Sequence, residues 1–213
     1  MLDAVVDLAA DPARAAAVLR LGPKQAGLAA ANRDLRRAPV LPAVERYAGT
    51  VYEGLAVTTL GADARAWVGA HVAIASALLG LVRADDRIPA YRLSASAALP
   101  GLPDGASLTA HWRDAVAGVL ARRRTFVLDA RSADYAALGP APADAARLHV
   151  ETEDDAGRRR ALNHFNKLHK GRLVRALAES GADPASRGDL LAWGAAAGVR
   201  LEPRGPADVV LVV

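Results

Sequence analysis

Between Ala156 and Ala178 the chain carries no acidic residue, while Arg158, Arg159, Arg160, Lys167, Lys170, Arg172 and Arg175 supply seven positive charges, joined by His164 and His169. Such a cluster suits an anion, and phosphate is the anion that guanidinium and ammonium groups recognise most readily. Lys167 and Lys170 fall at a predicted strand-to-helix junction, where unsatisfied N–H groups at a helix start add to the attraction. Arg172 and Arg175 share the helix face opposite Leu173 and Leu177, so basic surface continues beside apolar surface. The same residues also read as a solvated edge strand and helix that answer the acids Glu151, Glu153, Asp154 and Asp155 across the turn.

Other residue types allow other chemistry. Ser132, Asp134 and Tyr135 follow a predicted strand ending at Ala130, the side of a sheet where α/β proteins carry their sites. With His164 they form the proton-transfer set of an alternative reading, an enzyme acting on a phosphorylated or nucleotide substrate whose phosphate the same basic cluster holds; Ser132 reads equally as a helix N-cap. His149 and Glu151 share one face of a predicted strand, part of what a 2-His-1-carboxylate iron site needs. No second histidine at helical spacing completes it, so the expectation is no bound metal and no cofactor. His71 continues an apolar stripe and reads as a core histidine, while His111 carries no clear signal. In Leu19–Lys24, Gly22 allows close backbone approach to a phosphate and Lys24 adds charge, as in a non-sequence-specific helix-hairpin-helix. Gly22 at a helix C-terminus also reads as an ordinary connection.

With 213 residues and 22.1 kDa, one domain over 1–213 is expected. No apolar run is long enough to span a bilayer and no charged-then-apolar leader opens the chain, so the expectation is a cytoplasmic protein without a membrane partner. The chain has no cysteine, which excludes a disulfide partner, a thiolate zinc site, an iron–sulfur cluster and thiol peroxidase chemistry. A nucleophile elbow, a Walker loop and a dinucleotide fingerprint are all missing, and enzymatic activity is not the leading expectation. Lys24, Lys167 and Lys170 are the only lysines among 27 basic side chains. The arginines follow an Ala/Arg compositional bias, so the net charge of +4 says little about partners.

The elements that must position these residues are legible in part. Asp11 before Pro12 marks a helix start, with the helix running to Leu21. Pro23 starts a second helix toward Arg37, giving a helix-hairpin-helix over about 12–37. Trp67, Ile74, Leu78 and Leu81 suggest one long helix from Asp63 to a loop at Arg83–Pro89. Trp112, Ala115, Val116, Val119 and Leu120 mark an amphipathic helix feeding a strand over Phe126–Ala130. A β-hairpin follows, from Arg147–Glu151 to Arg159–Phe165. Two helices come next, about Lys170–Glu179 and one capped by Asp183 with Pro184. Strands at Val199–Leu201 and Val209–Val213 close the chain, the last apolar enough to be buried on both faces.

The stretches LGPKQAGL (21–28), YAGTVYEGL (47–55), SALLGLVRADDRIPAYRL (76–93), HW (111–112), FVLDARSADY (126–135) and HFNKLHKGRLVRAL (164–177) together resemble the YaaA family of bacterial peroxide-stress proteins. The resemblance implies a mixed α/β fold, with a central mixed β-sheet flanked by helices, a helix-hairpin-helix element and a positively charged cleft. It implies a cytosolic protein that binds DNA without sequence preference and limits iron-dependent oxidative damage during hydrogen peroxide stress. It places phosphate contacts at Gly22 and Lys24 in the hairpin, at Arg83, Tyr91 and Arg92, and at Lys167, Lys170, Gly171 and Arg175 in the basic junction. Ser132 and Tyr135 also fall at family positions. Against the family pattern, the expectation from Met1-Leu2-Asp3 is that the first family strand is not part of this sequence, and Leu168 stands where many members carry a further basic residue.

Overall fold

A computed structural model describes residues 1–161 and 166–213. His164, Phe165 and the end of the expected second hairpin strand lie outside the described residues. In chain order the helices and strands are α1 (Leu2–Ala9), α2 (Pro12–Val18), β1 (Val40–Pro42), α3 (Ala43–Arg46), α4 (Thr50–Leu55), α5 (Ala62–His71), β2 (Ala73–Ser76), β3 (Gly80–Arg83), β4 (Arg87–Pro89), α6 (Leu108–Ala121), β5 (Leu128–Asp129), α7 (Ala133–Ala136), β6 (Ala146–Glu153), β7 (Arg159–Ala161), α8 (Asn166–Ser180), α9 (Arg187–Ala196), β8 (Leu201–Arg204) and β9 (Asp208–Val212). This is the mixed α/β fold the sequence predicts. The chain folds as two compact units with interleaved segments. The first takes Met1–Arg46, Ala73–Val119 and Ser132–Pro140; the second takes Tyr47–Val72, Leu120–Arg131 and Ala141–Val213.

In the first unit, the Asp11 side chain caps α2 by accepting from the Arg14 N–H at 3.0 Å. The helix ends earlier than its Ala-rich pattern predicts. Leu21 N–H returns to the Ala16 carbonyl and Arg20 N–H to Ala17, with Arg20 in the left-handed region at φ 51°. That is a Schellman stop built on arginine, not on glycine. Gly22 is extended, at φ −68°, and precedes a 3-10 helix over Pro23–Asn32 instead of the expected α-helix. The core of this unit gathers Val5, Leu8, Leu19, Leu35, Leu78, Leu93, Leu108 and Leu138.

The expected long helix from Asp63 to Leu81 ends at His71, and β2 and β3 pair antiparallel with Ile74 opposite Val82 and Ser76 opposite Gly80. Side chains alternate in burial along both strands. The turn is tied by the Ser76 hydroxyl accepting from Leu79 N–H at 2.9 Å, and by the Trp112 indole N–H donating to the Ala77 carbonyl at 2.9 Å. Gly80 has φ +77°, and a Cβ there would press into the Trp112 ring. Short β1 and β4 form a separate antiparallel pair.

The second unit holds a five-stranded sheet in the order β5-β6-β9-β8, with β7 also on β6. β5 and β9 run parallel to β6, and β8 is antiparallel to β9. Val209, Val210, Leu211 and Val212 are all buried, as the continuous apolar run predicts. Leu173 and Leu177 of α8 and Leu190 of α9 pack with Leu148, Val150, Val209 and Leu211. The expected hairpin appears as β6 and β7, with Glu151 opposite Ala161 and Glu153 opposite Arg159. Ser186, not Asp183, caps α9, accepting from Asp189 N–H at 3.1 Å.

Candidate functional site

The second unit carries the basic segment, and its charges divide into two sets. Arg158 donates to Asp154 at 2.9 Å. Arg159 donates to Glu153 at 2.7 Å and forks onto both carboxylate oxygens of Glu202 at 2.6 and 2.9 Å. Arg200 completes this network on the same two acids. The first arginines of the run thus answer the acids across the turn, as one of the two sequence readings has it. Lys167 and Arg172, by contrast, are exposed on α8 and have no side-chain partner among the described residues.

Lys170 stands one turn on from Lys167. Its ammonium donates to the Ala130 carbonyl at 2.9 Å. Burial pulls its pKa below the ordinary lysine value; the Asp129 charge works against that and Lys167 with it. Asp129 is buried beneath a two-point pair with Arg131, Nε to Oδ1 and Nη2 to Oδ2, both at 2.8 Å. Sequence reasoning quoted this segment without assigning Asp129 or Arg131; their alternate spacing at a strand end is the signal that was available. His169 stays below the ordinary histidine pKa, first through burial and then through Arg172.

Two other residues of the basic junction act inside the fold. Gly171 faces Gly54 where α8 crosses α4, and a Cβ on it would overlap the Val51 carbonyl oxygen. The Arg175 guanidinium donates to the Leu55 and Ala56 carbonyls at 3.2 and 3.3 Å and to the Thr59 hydroxyl at 2.7 Å, and pairs with Glu179 at 2.7 Å. It therefore closes the C-terminal end of α4, where Ala56 takes a left-handed conformation at φ 46°.

The first unit holds the other expected positions. Lys24 and Arg83 are exposed, and Arg83 N–H donates to the Asp86 carboxylate at 2.8 Å. Tyr91 and Ser76 share a hydrogen bond of 2.7 Å between hydroxyls. Buried Asn32 grips the Arg92 backbone on both sides, donating to its carbonyl at 2.8 Å and accepting from its N–H at 2.7 Å; sequence reasoning missed it. The Arg92 Nε is buried with no hydrogen-bond partner among the described residues. Burial raises the Tyr135 pKa, Tyr91 adds to the rise and Arg92 opposes it, so the phenol keeps its proton at neutral pH. Ser132 stands at the N-cap of α7 without a side-chain cap bond, and both it and Asp134 are exposed.

The metal candidates have polar partners. His149 Nε2 meets the Asp208 carboxylate at 2.8 Å, and Glu151 pairs with Arg204. Among the described residues no group of three metal-ligating side chains comes together. His71 is exposed, not packed in the core. Its ring stacks on Trp67 at 4.4 Å and its Nδ1 meets the Trp67 carbonyl at 2.9 Å.

Fold and site together define a mixed α/β protein with a cationic helix start beside a buried acid–arginine pair. The family model for peroxide stress protein YaaA matches residues 2–198, and the chain belongs to that family. It is 38% identical to a UPF0246 protein of Corynebacterium efficiens over 93% of this chain and 80% of that relative. A UPF0246 protein of Streptomyces coelicolor is also 38% identical, over 97% of this chain and 80% of the relative. One from an Azoarcus species is 31% identical over 77% and 69%. Among the described residues no helix is long and apolar enough to cross a membrane.

Proposed function

We propose that this member of a peroxide stress family is a cytoplasmic protein that binds DNA through phosphates, without reading bases, and thereby limits iron-dependent oxidative damage. The observation that carries the reading is the start of α8. Lys167 stands there without a side-chain partner among the described residues, Lys170 is held one turn on, and the helix that starts at Asn166 is 15 residues long. In the first unit, Lys24, Arg83 and Arg92 are proposed as phosphate contacts in their own right. Gly171 and Arg175 serve the same helix by seating and anchoring it.

Duplex binding measured by fluorescence anisotropy across a salt series tests this. Lys167→Ala plus Lys170→Ala is expected to weaken all duplex sequences alike and to lower the salt slope by about one unit for each phosphate no longer neutralised. Lys167→Glu, at an exposed position, guards against a folding defect at half-buried Lys170. Unchanged affinity and slope in both variants would overturn the reading.

A second reading, an enzyme acting on a phosphorylated or nucleotide substrate, is favoured by the buried Arg92 Nε, without a hydrogen-bond partner among the described residues, whose charge acts on the Tyr135 phenol. A turnover assay separates the two: product formed from a phosphorylated or nucleotide substrate by the full chain and lost in Tyr135→Phe favours the enzyme, and no product favours binding alone.

A further inference from the structure

Apart from α8, the second unit has a cavity of about 370 Å³ lined by Arg123, Arg124, Thr125, Phe126, Asp144 and the 185–187 segment. None of these residues belongs to the basic junction. The volume lies at the small end of the range for small-molecule sites, roughly 300–1,000 Å³, and exceeds what one inorganic phosphate fills. Three guanidinium-bearing residues and one carboxylate line it.

The three arginines are not equivalent. Arg187 is pinned, its Nη1 donating to the Gly205 carbonyl at 2.8 Å and to Asp208 at 3.5 Å. That leaves Nε and Nη2 of a fixed fork for a ligand, the geometry that suits two phosphate oxygens. Arg123 and Arg124 lie in the exposed stretch after α6 and have no side-chain partner among the described residues, so they can close on a bound anion. At the same wall, the Ser186–Asp189 cap consumes the N–H groups of Ala185 and Asp189. The N–H groups of Arg187 and Gly188, the first two of α9, take no part in that cap. Thr125 offers a hydroxyl, Phe126 an apolar ring, and Asp144 an acceptor for a hydroxyl or amine on the rest of the ligand.

We infer that this cavity binds a small phosphate monoester, with the phosphate on Arg123, Arg124 and Arg187 and a compact aromatic or hydroxyl-bearing remainder toward Phe126 and Asp144. The shared chemistry is a terminal phosphate, which a free nucleotide or a nucleic-acid strand end can supply. A phosphodiester inside a strand lacks the second charge that a terminal monoester brings to three guanidinium groups.

Calorimetric titration of the full chain with adenosine monophosphate tests the assignment, with adenosine as control and inorganic phosphate as competitor. Saturable binding of the monophosphate, competed by phosphate and absent for adenosine, is expected. Arg123→Gln plus Arg124→Gln, at exposed positions, should weaken it at least about tenfold, or ~1.4 kcal/mol, while Lys167→Ala leaves it unchanged. An end-phosphorylated single strand compared with its dephosphorylated form identifies the source. A gain that the Arg123/Arg124 variant abolishes assigns the strand end; equal binding of the two forms assigns the free nucleotide. Failure to saturate, equal affinity for adenosine, or equal affinity in the Arg123/Arg124 variant would overturn the proposal. None of these results depends on duplex binding by α8.

Discussion

Asp129 is 8% exposed and Arg131 has a side chain 13% exposed, so their pair is largely withdrawn from water. Burial alone would raise the Asp129 pKa, but the hydrogen bonds and charge of Arg131 outweigh it, helped by Arg147. The carboxyl therefore titrates below the ordinary value of 3.8. The sign follows: a depressed native pKa means the pair's stabilisation is complete above 3.8 and is lost as pH falls through the lower native value. Asp129→Asn deprives a buried guanidinium of its carboxylate and is expected to cost about 3 kcal/mol at neutral pH. In acid the native Asp129 becomes neutral as well, so the two proteins converge below that value. Urea unfolding midpoints at neutral and acid pH check both halves. Lys170 shows the opposite case, an ammonium held down by burial yet kept beside a carboxylate.

At the scale of elements, α8 matters most, because it carries Lys167 and Lys170 and rests on α4 through two glycines. Gly54 and Gly171 meet with no space for a Cβ on either, so the helices approach at backbone distance. Gly171→Ala must push α8 away from the Val51 carbonyl, at a cost of about 3 kcal/mol. A thermal melt should fall accordingly, and duplex affinity with it, as the lysines move with their helix. The sequence made much of this element legible: the helical spacing of Leu173 and Leu177, the turn of the hairpin before it, and the apolar run of β9 all survive into the fold. The register of α4 on α8 was not legible, since a packing glycine and a phosphate-binding glycine look the same in a chain. The region after Asp63 misled for a related reason. Ile74, Leu78 and Leu81 keep a helical spacing, but Gly80 at φ +77° and the Trp112 ring against it turn them into a hairpin. The deciding side chain, Trp112, comes from far downstream, beyond any local window. The stop after α2 was misplaced onto Gly22 because an arginine in the left-handed region is uncommon.

The whole chain sets what peroxide chemistry is open to it. It has no cysteine and Met1 is its one methionine, so it has no thiol to be oxidised and no internal thioether to be consumed. Under the proposed function, protection therefore comes from shielding DNA or from changing how iron meets it, because the sequence offers no cysteine and only Met1 for sulfur chemistry with peroxide. Each unit keeps its own apolar core, while the chain passes between them several times, so neither unit is a contiguous segment that could be cut out for the experiment. The full chain, mixed with hydrogen peroxide alone, is expected to leave the peroxide concentration unchanged, as read by a colorimetric time course. Added to duplex DNA with ferrous iron and peroxide, it should reduce strand nicking in proportion to the fraction of duplex bound. Phosphate-driven binding weakens steeply with salt. Protection by occupancy must therefore fade over the salt range that releases the duplex in an anisotropy titration, and fade earlier for Lys167→Ala plus Lys170→Ala. Nicking that stays suppressed after the duplex has been released would separate protection from occupancy, and would assign the effect to iron in solution.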